Sequence, residues 1–157
     1  MGSFALNILA GIIIATVTAI VTVRLSISRF REEKWWEKKV EAYERIIESL
    51  HDSQKFSATH LDASYEGREV SEEYDAELRK NSKLANAEIL RASDVGGFLL
   101  SDEAQDRLQI LQKEISSAQD CPNWQEYLEM DYSATSSCLV DIISIAKKDL
   151  KVSNGNT

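Results

Sequence analysis

Two histidines and a glutamate near the middle of the chain offer the first candidate for metal chemistry. Glu48 and His51 form a Glu-x-x-His element, which supplies two inward-facing ligands in di-iron helical bundles. Such a site needs a second element of the same kind, but Ser57 stands three residues before His60. At about 100° per residue, His51 and His60 also fall on opposite faces of one helix. We therefore predict no metal site and no cofactor.

Nucleophilic and phosphate-binding chemistry has little support either. Cys121 and Cys138 are the two cysteines, and no local motif pairs either of them with a histidine. The pair Gly96-Gly97 is not followed by the Lys-Ser/Thr of a phosphate-binding loop. The acidic run Glu69–Glu77 lacks the spacing of a calcium loop. The sequence therefore predicts no catalytic residue, no enzyme activity and no small-molecule substrate.

The longest uninterrupted pattern is apolar and lies near the N-terminus. The segment Phe4–Val23 contains 20 residues without a charged side chain. At about 1.5 Å per residue, a helix of this length spans about 30 Å, the thickness of a hydrocarbon core. A cleaved signal peptide would have a basic start and a shorter apolar run. We therefore predict a single-pass membrane protein, with residues 1–27 as the transmembrane anchor.

Basic residues follow this segment, and none precedes it. Arg24, Arg29, Arg31 and Lys34 open a stretch that ends at Lys39 and holds six basic and three acidic residues. The positive-inside rule places the rest of the chain in the cytoplasm, and the basic stretch suits anionic membrane lipids. The rest of the chain, with 12 basic and 23 acidic residues, has a net charge of −11. Such a charge repels phosphate backbones, so we expect no nucleic-acid binding.

Small residues recur on one face of the apolar segment. Gly11, Ala15 and Ala19 follow one another at four-residue spacing, and Asn7 extends the same face. This pattern lets membrane helices approach closely, and an asparagine can form hydrogen bonds across the contact. We therefore predict that this face packs against a partner helix, either in a homo-oligomer or with an unknown membrane or cytoplasmic protein.

Apolar residues recur at alternating four- and three-residue spacing through the rest of the chain, which is typical of bundle helices. The predicted seam consists of Trp36, Val40, Tyr43, Ile47, Leu50, Leu108, Leu111, Ile115, Leu139 and Ile142. The aromatic pair Trp35-Trp36 lies about 18 Å beyond the apolar segment if the helix is continuous, which is too far for a head-group position. We expect one of the two tryptophans to enter the bundle core.

Glycine and proline mark the connections between helices, at Gly67, at Gly96-Gly97 and at Pro122. Ser101, which two acidic residues follow, is the predicted N-cap of the helix after Gly96-Gly97. Short connections favour antiparallel neighbours. We therefore predict an all-α fold in which the transmembrane helix precedes an antiparallel four-helix bundle over residues 28–152. A disordered tail is expected at residues 153–157. Whether the span and the first bundle helix form one continuous helix stays open.

Four segments carry a resemblance to other proteins. They read SRFREEKWWEKKVEAYERIIESLH, GREVSEE, ASDVGGFLLSDEA and IAKKDLKV. In these segments the sequence resembles a group of small bacterial membrane-anchored proteins, from about residue 28 to residue 152. The resemblance implies a setting at the bacterial inner membrane and supplies no catalytic residue.

The predicted architecture favours a binding or scaffolding module that acts through protein–protein interaction at the inner face of the membrane. The alternative is a membrane-perturbing effector or sensor component of a bacterial stress or phage-defence system, since such proteins often join a short span to a sensing domain. An enzyme is a third alternative, which a deep polar cavity with converging acids would favour.

Overall fold

The computed structural model describes residues 2–151, and all the regular secondary structure among them is helical; the side chains of residues 2–15, Val95 and Gly96 lie outside the described part. The helices are α1 (Gly2–Tyr65), α2 (Glu72–Val95), α3 (Asp102–Gln119) and α4 (Trp124–Asp149), with a 3-10 turn at Gly96–Phe98. No strand occurs between residues 2 and 151. The predicted all-α class and helical bundle are therefore confirmed. The predicted tail at residues 153–157 lies outside the described residues.

The chain divides into two compact units between Lys38 and Lys39, within α1. In the first unit, apolar side chains from Val17 to Ile27 are about half-exposed. Among the described residues, no helix is both long enough and apolar enough to cross a membrane, so these residues do not support the predicted transmembrane helix. Much of the predicted span, from Phe4 to Ala15, lies where side chains are outside the described part.

Polar caps and one glycine set the helix ends of the second unit. Gly67 has φ +66, a left-handed conformation that favours glycine, and α1 ends two residues before it. The side chain of Ser101 accepts a hydrogen bond from the Ala104 amide and caps α3, as the sequence predicts. Asn123 caps α4 by accepting from the Gln125 amide at 3.0 Å.

Side-chain contacts in the second unit show which helices are neighbours and in which direction they run. From α1, Ser53 contacts Asn86 on α2 and Ser57 contacts Asp131 on α4. Arg107 on α3 contacts Asp141 on α4. Later residues of α1 contact earlier residues of α2 and α4, so α1 runs antiparallel to both neighbours.

The core consists of two apolar clusters. The large cluster is formed by Tyr43, Ile46, Leu50, Ile89, Leu100, Ala104, Leu108, Leu111, Ala134, Cys138, Ile142, Ile145 and Ala146. The small cluster is formed by Phe56, Leu61, Leu78 and Leu128, with Val70 and Tyr127 packed against it. Between them along the helices lies a set that we call the polar layer: Ser53, Ser57, Asn86, Asp131 and Thr135.

Candidate functional site

A buried carboxyl group lies in the polar layer. Asp131 is 4% exposed, and the hydroxyl of Ser57 donates a hydrogen bond to its Oδ2. The hydroxyl of Thr135 donates to the Asp131 carbonyl oxygen at 2.7 Å, which satisfies the hydroxyl one turn away. Burial raises the pKa of the Asp131 carboxyl, and the hydrogen bond from Ser57 partly opposes that rise. The layer therefore holds an acid whose environment favours its neutral form.

The same layer contains a second polar contact between α1 and α2. The hydroxyl of Ser53, which is fully buried, donates to Oδ1 of Asn86 at 3.0 Å. Asn86 in turn lies 3.5 Å from the Ser82 hydroxyl, near the upper limit of a hydrogen bond. Polar side chains on three helices thus replace apolar packing at one level of the bundle.

An ionic and aromatic cluster lies beyond this layer, where α1 ends and α2 and α4 begin. Arg79 donates from Nε to Oδ2 of Asp75 at 2.8 Å. Its guanidinium carbon lies 5.4 Å from the Phe56 ring centroid and 5.7 Å from that of Trp124. An arginine over two ring faces is a cation–π arrangement, so Arg79 links α2 to α1 and α4.

His60 completes this cluster from α1. Its ring centroid lies 4.7 Å from that of Phe56 and 5.8 Å from that of Trp124. Its Nε2 lies 2.9 Å from Oδ1 of Asp75, which is ion-pair distance. Both atoms are buried, yet neither has an aligned hydrogen bond among the described residues. We regard the contact as an electrostatic one, because the distance is short while the donor direction is poor.

The charge of Asp75 is fixed by its neighbours. The hydrogen bond from Arg79 is the main cause that lowers the pKa of the Asp75 carboxyl. An open cleft of about 400 Å³ adjoins the pair, and charged side chains of both signs, among them Arg68 and Glu72, line it. The arrangement therefore places the His60 ring beside a carboxyl group whose surroundings favour its charged form. No group of three or more metal-ligating side chains converges among the described residues.

The opposite end of the bundle carries a different polar network. Lys39 and Asp149 form an ion pair at 2.6 Å, and Tyr43 donates from its hydroxyl to the other oxygen of Asp149 at 2.7 Å. The Ser101 amide reaches the same hydroxyl at 3.3 Å. Burial is the main cause that raises the pKa of the Tyr43 phenol. Each of these groups has a partner, so the network fastens α1 to α4 and to the start of α3.

The predicted seam residues have different positions in the structure. Tyr43, Leu50, Leu108, Leu111 and Ile142 belong to the large cluster, and Ile47, Ile115 and Leu139 pack against it. Val40 is half-buried. Trp35 and Trp36 are both 51% exposed, so the expected core position of one tryptophan is not found. The reason is their place in the chain, since both precede Lys39, where the second unit begins.

The predicted membrane residues lie in the first unit. Arg24, Arg29, Arg31 and Lys34 are exposed, and Lys34 pairs with Glu37 at 2.7 Å. Of the small-residue face, Ala19 is exposed. The side chains of Asn7, Gly11 and Ala15 lie outside the described part. The packing of this face against a partner helix stays a prediction.

The two cysteines differ in environment. Cys138 is fully buried in the large cluster, and burial raises the pKa of its thiol to about 11. Cys121 is partly exposed in the α3–α4 connection, with its sulfur 3.2 Å from that of Met130. Neither sulfur has a histidine among its described contacts, so no nucleophilic pair forms in the described part of the chain.

The pair His60–Asp75 and the acid Asp131 were missed by reasoning from the sequence. One signal was present, because the apolar seam of the first bundle helix turns polar at Gln54 and Ser57. A seam that loses its apolar character in mid-helix indicates either exposure or a buried polar layer. Comparison with protein-family models, curated proteins and solved structures finds no significant match to this chain.

Proposed function

We propose that this chain is a membrane-anchored binding module, which holds a helical bundle at the inner face of a bacterial membrane and acts by binding other protein chains. The observation that carries the proposal is the exposure of apolar side chains in the first unit. Val17, Ile20 and Val23 are each more than half exposed on α1. At about 100° per residue Val17 and Ile20 share a side, whereas Val23 and the half-exposed Val21 lie on nearly opposite sides of the helix. A helix that is apolar on all sides needs an apolar surrounding, which a bilayer supplies.

The charge distribution supports the same proposal. The apolar segment has no charged side chain up to Val23, and the exposed basic residues begin at Arg24. Such an arrangement orients a single span with its basic flank in the cytoplasm. The bundle that follows has a net charge of −11 beyond Lys39, which keeps it away from anionic lipid head groups. The second unit would therefore be free to contact proteins instead of the bilayer.

The anchor is tested by placing charge in the apolar segment. The double variant Ile13→Arg, Val17→Arg, whose positions lie nearer the centre of the predicted span than its ends, should move the protein from the carbonate-resistant membrane fraction to the extractable fraction. Each arginine at the centre of a span costs about 2.5–3.5 kcal/mol. The matched control is Leu84→Arg, Val140→Arg, which changes two exposed apolar side chains of the bundle. The proposal fails if both double variants fractionate alike, or if the unmodified chain is extracted by carbonate.

Binding is tested by crosslinking the full chain in native membranes at its natural expression level. The proposal predicts crosslinked species that contain either a second copy or one recurring protein. Gly11→Leu distinguishes these outcomes, because a larger side chain on the small-residue face should abolish self-association through the membrane and leave a contact of the bundle unchanged. Detection of monomer alone, under conditions that crosslink a known membrane dimer, would contradict the binding role.

A further inference from the structure

We propose that one side of α1, just past Val23, binds the head groups of anionic phospholipids through four side chains that we call the basic face. The basic face consists of Arg24, Arg31, Lys34 and Lys38. Such a contact rests on the proposed membrane anchor and names the class of lipid that the anchor meets. It goes beyond orientation, because the positive-inside rule requires basic residues on one flank of a span but not on one side of the helix.

The spacing of the basic residues gathers them on one side of α1. Residues 24–38 lie within this helix, so successive side chains are about 100° apart around its axis. At that spacing, all four members of the basic face fall within about 80°. Arg29 is the other basic residue between positions 24 and 38, and it lies about 180° from the centre of the face. Four of these five basic residues therefore share a side.

The acidic side chains of the same segment lie elsewhere on the helix. Glu32, Glu33 and Glu37 fall about 100–140° from the centre of the basic face. Lys34, at the edge of the face, forms an ion pair with Glu37 at 2.7 Å, and both side chains are about half exposed. Solvent weakens such a pair, so it offsets the charge of Lys34 only in part. The positive charge of the segment is thus concentrated on one side of α1.

The side chains of the basic face are suited to lipid phosphates. All four are exposed, so solvent-facing charge is available along the whole face. A guanidinium group can bind a phosphate through two parallel hydrogen bonds, which favours the two arginines as contacts. Ile27 lies on the same side between Arg24 and Arg31 and is 49% exposed. An exposed apolar side chain between two arginines suits the boundary between acyl chains and phosphates.

The position of the basic face along α1 predicts which side chains matter most. Arg24 follows Val23 directly. At about 1.5 Å per residue, Arg31 lies about 12 Å and Lys38 about 22 Å beyond Val23. The negative potential of an anionic bilayer surface falls off within a Debye length of about 8–10 Å. Arg24 and Arg31 should therefore contribute more to lipid binding than Lys34 and Lys38.

The test is the lipid preference of the full chain in phosphatidylcholine vesicles, measured by electron spin resonance with a trace of spin-labelled phosphatidylglycerol or spin-labelled phosphatidylcholine. The unmodified chain should associate with the anionic probe about three- to fivefold more strongly than with the zwitterionic one. Arg31→Gln should lower this ratio by about two- to threefold, and Lys38→Gln should lower it less. Because salt screens exposed charges, about 0.5 M sodium chloride should remove most of the preference.

The matched control is Arg29→Gln, which removes an exposed arginine two residues from Arg31 on the opposite side of α1. It should keep the ratio of the unmodified chain. Equal losses in Arg29→Gln and Arg31→Gln would overturn the basic face, because net charge alone would then explain the preference. An anchored chain that associates equally with both probes would overturn lipid binding and leave the anchor standing. Recovery of the unmodified chain outside the vesicles would instead contradict the anchor, and the lipid contact with it.

Discussion

The two ends of the bundle core are built differently. The large cluster contains Leu108 and Ile142, both fully buried. At its end of the bundle, Tyr43 and Asp149 belong to a network in which each polar group has a hydrogen-bond partner. The small cluster has four buried apolar residues and adjoins the polar layer with its buried acid, Asp131. Apolar burial stabilises regardless of pH, whereas buried ionisable groups stabilise or destabilise according to their protonation. Stability should therefore reside in the large cluster, and sensitivity to conditions in the small one.

Removing apolar volume should give the largest effects and should differ between the two clusters. Leu108→Ala should lower the free energy of unfolding by about 3–4 kcal/mol, because Leu108 is fully buried in the large cluster. Leu61→Ala in the small cluster should cost about 2 kcal/mol and should chiefly increase hydrogen exchange near residues 56–80. Urea unfolding followed by circular dichroism measures both. Equal losses with identical exchange patterns would remove the distinction between the clusters.

The labelling rates of the two cysteine thiols should show how tightly the large cluster is closed. At neutral pH, Cys121 should react with a maleimide in the folded protein, while Cys138 should react more than about 100-fold more slowly. The reasons are the full burial of Cys138 and the rise of its thiol pKa to about 11. Mass spectrometry of the labelled peptides gives both rates. Comparable rates without denaturant would mean that the large cluster opens readily.

Replacing the buried acid should stabilise the protein, in contrast to most core substitutions. The folded state raises the pKa of Asp131, so its favourable contribution is present in acid and is lost as the pH rises above the ordinary aspartate range. Asp131→Asn cannot ionise and should be more stable than the unmodified chain by about 1 kcal/mol at neutral pH. Thermal melts at several pH values should show this advantage shrinking in acid. An advantage that grows in acid would contradict the assignment.

Breaking the network around Tyr43 and Asp149 should have a smaller effect than removing apolar volume, with little change between about pH 5 and pH 8. Tyr43→Phe keeps the ring in the core and removes the hydroxyl that donates to Asp149 at 2.7 Å. We expect a loss of about 1 kcal/mol. Glu103→Gln is the reference, since it breaks the exposed pair with Lys148 and should cost less than Tyr43→Phe, because solvent screens an exposed ion pair. The same urea series measures both variants, and the interpretation fails if the order is reversed.

The sequence predicts the helices well because caps and glycines act locally. The cap at Ser101 and the stop at Gly67 depend on neighbouring residues only, and both are found. Which residues of α4 face the core is harder to predict. A four-three pattern through Leu128 selects Tyr132, whereas the structure buries Asp131 and leaves Tyr132 38% exposed. The partner of Asp131 is Ser57 on α1, which donates a hydrogen bond to it, and such a partner is not evident from one helix alone.

The candidate site is harder to predict than the fold for the same reason. His60 and Asp75 are 15 residues apart in sequence and meet only because α2 turns back along α1. Arg79 and Trp124 come from two further positions on α2 and α4. None of these residues belongs to a short motif, so their chemistry arises from packing. Trp36 fits the regular apolar pattern, yet both Trp35 and Trp36 are exposed. A regular pattern therefore does not establish where a core begins.

The proposal that the bundle is anchored in a membrane and faces inward is tested most directly by labelling Cys121, which is partly exposed, in cells that produce the full chain. A membrane-impermeant maleimide should fail to label Cys121 in intact spheroplasts and should label it once the membrane is permeabilised, with the protein remaining in the membrane pellet throughout. Labelling of Cys121 before permeabilisation, or recovery of the unmodified chain in the supernatant, would contradict the account.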